Sequence, residues 1–83
     1  MNITINDIRL IFDRVIAGSI SREEASRVAQ SYRECSDLNE LVVIPESERK
    51  RAWNAIIFLN GVDLKDAPNS YLHNEEDIRD ERP

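Results

Sequence analysis

One cysteine, one histidine, two glycines and three prolines are all that 83 residues hold of these types, and each scarcity removes a class of protein. Cys35 has no partner for an internal disulfide, so a small secreted scaffold stapled by bridges is excluded. His73 stands alone too, which leaves no His/Cys set with the spacing of a transition-metal site. Gly18 and Gly61 are far apart and cannot build a phosphate-cradling loop. So few turn residues argue against a sandwich of many short strands. No apolar run is long enough to span a bilayer. The start, MNITINDIRLIFDR, lacks the basic residues, apolar stretch and small-residue cleavage site of a secretory signal. A cytoplasmic protein without a membrane anchor is therefore expected.

Positive charge is scarce in one region. The chain carries sixteen acids and eleven bases, net −5, but the imbalance is local. Residues 1–60 hold nine acids against eight bases, whereas residues 61–83 hold seven against three. Phosphate binding needs clustered Lys and Arg, so this distribution points to a basic protein partner and to no nucleic acid.

What is present is helical patterning in a chain of one-domain length, residues 1–83, with 79–83 expected to fray for want of an apolar anchor. Ile5, Ile8, Ile11, Phe12, Val15 and Ile16 share one helix face. Thr4 or Asn6 can cap its start, and Gly18 sits where a left-handed C-terminal cap falls. SREE, Ser21 to Glu24, is a capping box that opens a second helix with a narrow stripe of Ala25, Val28, Ala29 and Tyr32. Leu41 to Ile44 read as a buried extended stretch ended by Pro45, with no obvious partner strand. A third helix from Glu46 to Asn60, stopped by Gly61, has an apolar arc wide enough to predict a central position with Trp53 largely buried. Asn74 then caps a short acidic helix, and Val62, Leu64, Tyr71 and Leu72 anchor Gly61 to Ile78 on the core. The fold class expected is all-α, a small three- to four-helix bundle with an ordered acidic C-terminal loop and short helix.

Groups able to carry chemistry are few. His73 reads as a partly exposed turn residue, and Cys35 as a small filler without a basic neighbour. Glu75, Glu76, Asp77 and Asp80 lack the glycine and ligand periodicity of a calcium loop. No enzyme, cofactor or metal is expected. ERKR, Glu48 to Arg51, places three cations at a helix start, where they oppose the dipole and find their partners in nearby acids. Asp63, Asp66, Glu75, Glu76 and Asp77 are interleaved with Tyr71, a mix of steering charge and aromatic contact area suited to a protein interface.

Two stretches, GSISREEASRVAQ (Gly18 to Gln30) and AWNAIIFLNGVDLKDAPNSYLHNEEDI (Ala52 to Ile78), resemble small immunity proteins of bacterial polymorphic and contact-dependent toxin systems. That resemblance implies a cytoplasmic protein that binds a cognate toxin domain, with a nuclease as the candidate, and blocks it. The contacts would be Asp63, Asp66, Tyr71, Glu75, Glu76 and Asp77. The alternative is a helix-turn-helix DNA-binding regulator or antitoxin, using the second helix and Arg49 to Arg51. Glu23 and Glu24, at the start of that helix, would face DNA phosphates.

Overall fold

The computed structural model describes residues 1–68 and 70–83, with side chains throughout except at Asp66 and Ala67. In chain order the elements are β1 (Asn2–Thr4), α1 (Ile5–Ile16), α2 (Arg22–Asp37), β2 (Val42–Ile44), a 3₁₀ turn (Glu46–Glu48), α3 (Arg49–Asn60), β3 (Lys65–Ala67), β4 (Ser70–Tyr71) and α4 (Glu75–Glu81).

Local hydrogen bonding sets where three of the helices begin. Thr4, Ser21 and Asn74 each accept from the amide three residues on, while Asp7, Glu24 and Asp77 reach back to the capping residue's own amide. Each box satisfies two amide donors that a helix start would otherwise leave bare. Past the end of α1, Gly18 has φ +76°, a conformation that favours glycine. The chain turns there into α2.

The helices bury one core. Ile8, Phe12, Ala25, Ala29, Ala52, Ile56, Leu59 and Val62 are fully inaccessible, with Ile3 and Ile78 nearly so. The buried residues of α2 are Ala25, Ser26 and Ala29, and α3 contributes Ala52 and Ala55, so these two helices pack through small side chains. Their directions oppose. The Ser26 hydroxyl donates to the Asn60 carbonyl at 2.7 Å and the Asn60 side-chain amide donates to the Ser26 carbonyl at 3.3 Å, tying the start of α2 to the end of α3. Phe12 and Phe58 stack with ring centroids 5.9 Å apart.

The fold is mostly helical but not all-α. β1 and β2 pair in parallel with Asn2, Ile3 and Thr4 opposite Val42, Val43 and Ile44, and β3 pairs antiparallel with β4. The stretch expected to be buried proves half open: Val42 and Ile44 are 49% and 47% exposed. A two-stranded sheet lying on helices has one covered face, so alternate residues point to water. The partner strand had no signature in sequence, since three residues ahead of a helix do not register as a strand.

Trp53 also departs from expectation, being only partly buried at the edge of the core. The fully buried face of α3 is Ala52, Ala55, Ile56 and Leu59, while Ile57 is 47% exposed. A wide apolar arc therefore serves two surfaces, a packed one and an open one.

Candidate functional site

The acidic C-terminal segment is pinned by Val62 and Ile78, whereas Leu64 and Leu72, expected as anchors, are more than half exposed. Arg22, at the start of α2, closes the segment from the other side. Its guanidinium donates to the carbonyls of Val62 and His73 and lies 4.2 Å from the centre of the Tyr71 ring. The Tyr71 hydroxyl donates to Glu23 at 2.9 Å. Backbone donation to Glu23, then this hydroxyl, holds the Glu23 carboxyl below its ordinary range, and the bond to Glu23 raises the Tyr71 phenol.

Two of the acids singled out in sequence are occupied in building the segment. Asp77 completes the Asn74 cap, and Glu75 pairs with Arg79 at 2.7 Å. Half-buried Asp63 adds negative charge beside Tyr71, and Glu76 is exposed. The side chain of Asp66 lies outside the described residues. At the end of α4, Arg82 makes a two-pronged contact with Asp13 at 2.7 and 3.1 Å. That contact lowers the Asp13 carboxyl. Arg9 Nε donates to the Pro83 carbonyl at 2.7 Å.

The opposite end of α3 is arranged differently. Ser36 from α2, Leu41 and Val43 from the β2 strand and its approach, Glu46 and Ser47 from the 3₁₀ turn, and Arg49, Lys50, Trp53 and Ile56 from α3 surround a groove of about 470 Å3. Its surface is mostly apolar, with part of Trp53 in it and Ser36, Glu46, Ser47, Arg49 and Lys50 supplying the polar portion. Of the three successive cations, Arg51 is paired with Glu48 at 2.8 Å, as expected from sequence. Arg49 and Lys50 are exposed and form no ion pair among the described residues. Both stand on the rim beside Trp53, because residues three and four apart share a helix face. That spacing was the signal in the sequence. The width of the apolar arc concealed it by predicting a buried tryptophan.

Other chemistry is sparse. Cys35 is half-buried. His73 packs tilted on Phe58, centroids 4.8 Å apart, with Nδ1 3.9 Å from Asp77. Among the described residues no three His, Cys, Asp or Glu side chains gather as a metal site would require, and no helix is long and apolar enough to cross a membrane.

A family model described as YxzC DNA-binding protein matches residues 3–81. The uncharacterized protein YxzC of Bacillus subtilis (strain 168) is 39% identical over 66 residues, covering 80% of this chain and 48% of that protein. The chain thus spans about half the length of the curated relative it matches. No solved structure matches. These findings overturn the resemblance to toxin-immunity proteins, and with it the toxin as partner and the expectation of no nucleic acid. The reason is physical. Much of that resemblance is carried by a capping box at Ser21, an apolar helix ended by Gly61 and a cap at Asn74, which are signals for folding a helix rather than for recognising a partner. Of the acids assigned to the toxin contact, Glu75 and Asp77 bond within the segment that carries them.

Proposed function

The chain belongs to the YxzC DNA-binding protein family, and on that footing we propose that it binds DNA in the cytoplasm, by binding alone and without catalysis. The observation that carries the reading is the family match over residues 3–81. The surface that fits it is the start of α3, where Arg49 and Lys50 have no acidic partner among the described residues. A second-helix reading mode is disfavoured by charge. The exposed side of α2 carries Glu23, Glu24, Glu34 and Asp37 against Arg27 and Arg33, so phosphates would meet a net excess of like charge there.

A net charge of −5 does not oppose this reading as strongly as it suggests. The hairpin and the start of α4 lie by the C-terminal end of α3, and twelve residues of helix rise roughly 18 Å. Exposed charges are screened over about 8–10 Å at physiological salt. The acids therefore exert little force at the rim of the groove. Few phosphates can be contacted, so the salt dependence should be shallow, a log–log slope of about −2 to −3.

The test is anisotropy of a labelled DNA titrated with the protein across a salt series. Arg49→Ala with Lys50→Ala should weaken binding at least tenfold and flatten the slope by about 2, with the helical circular dichroism unchanged. Glu75→Gln with Glu76→Gln should change affinity by less than about threefold, given the same screening. Unaltered affinity and slope in the Arg49/Lys50 variant would remove this site. No binding to any DNA by the intact protein would remove the function.

A further inference from the structure

We infer that the groove beside Arg49 and Lys50 takes single-stranded DNA, seating an unstacked base against Trp53. This rests on the DNA-binding reading above and specifies its substrate. A groove of about 470 Å3 falls in the ~300–1,000 Å3 range of small-ligand sites, and its lining is suited to a planar, weakly polar heterocycle. Leu41 and Val43 supply apolar walls and Trp53 an aromatic one, with the fully buried Ile56 behind them. Base edges inside a duplex are already paired and stacked, and cannot enter such a slot.

The charges divide accordingly. Among the described residues lining the groove the cations are Arg49 and Lys50, at the rim, within reach of the backbone on either side of a seated base. Glu46 also borders the groove and would turn phosphates away from its own side, holding them to the Arg49 and Lys50 side. A duplex would demand more. It presents two phosphate strands, and the surface beyond the groove continues into α2, whose exposed acids outnumber its exposed bases four to two. Two free cations beside an aromatic platform match the pairing of backbone charge and base stacking by which single strands are held.

Trp53 is the sole tryptophan, so its emission reports the groove directly. The intact protein would be titrated with a short single-stranded oligonucleotide and with the duplex of the same sequence. Intrinsic fluorescence and anisotropy of the labelled DNA would be read together. The single strand should quench Trp53 and bind at least tenfold tighter than the duplex. Trp53→Leu should lose about five- to hundredfold in single-strand affinity, the range for one base–aromatic stack, while Trp53→Phe retains most of it. Phe also guards against a variant that fails because it is poorly folded.

If the duplex binds as tightly as the single strand and Trp53 emission is unmoved, the groove is not a base site, although the DNA-binding reading stands. Absence of binding to either form overturns both. Emission that changes with protein concentration before any DNA is added would assign the groove to a second copy of the chain, and this inference would fall.

Discussion

The two ends of α3 hold unequal numbers of charges and use them in opposite ways. At the C-terminal end, Arg22, Glu23, Tyr71, Asp77, Glu75 and Arg79 are spent on one another or on backbone groups, and the segment they build is closed over Val62 and Ile78. At the N-terminal end, Arg49 and Lys50 stand without acidic partners among the described residues, beside a half-open tryptophan. The denser cluster of charge is therefore the structural one, and the sparser cluster is available for a ligand. Counting charges points to the C-terminal end; asking what each charge already touches points to the N-terminal end, where the DNA site is proposed.

The largest effect that sharpens this contrast is at Ile78, 1% exposed in the core. Ile78→Ala should cost about 2–5 kcal/mol, a large share of the stability of so small a domain. Chemical denaturation measures it, and an unchanged midpoint would mean that the acidic segment is not part of the fold. Arg22→Ala comes next, at about 1–2 kcal/mol for the lost donors to the Val62 and His73 carbonyls and the lost cover on Tyr71. Arg22→Lys should recover little, because an ammonium cannot reproduce the planar fork that bridges two carbonyls and lies over a ring. DNA affinity should stay within about threefold in both Arg22 variants, by the same screening, and a larger loss would merge the two ends into one site.

The smallest effect concerns Asp13. Its carboxyl is lowered chiefly by the hydrogen bond from Arg82, so the folded protein binds this proton less readily than the unfolded chain does. The contribution is complete above the carboxyl's ordinary value of 3.8 and is lost as pH falls below it through the depressed folded value. Asp13→Asn should leave stability at neutral pH slightly lower and the acid limb of the stability–pH curve slightly shallower. An acid limb identical to that of the parent protein would show that the Arg82 contact is not held in solution.

Much of the helical frame is legible without the structure. Thr4, Ser21 and Asn74 each bond to residues three positions away, and Gly18 takes its left-handed turn just beyond α1. These are decisions made within one turn of chain. The candidate site was only half legible. Arg49, Lys50 and Arg51 were visible as a cluster, but Arg51 alone found the acid expected for all three, Glu48 on the same helical turn.

The sequence by itself determined where α2 and α4 start, where α3 stops, and that the chain is mainly helical, and narrowed the cap of α1 to Thr4 or Asn6, because capping bonds and apolar spacing act over three or four residues. Tertiary structure decided the rest. It paired Asn2–Thr4 with Val42–Ile44, set Arg22 against Tyr71, and joined Arg82 to Asp13 across 69 positions. It also left one side of Trp53 uncovered, since whether an apolar helix face is buried depends on how far neighbouring elements extend over it. Here β2 and the 3₁₀ turn border that face without closing it, and a groove remains.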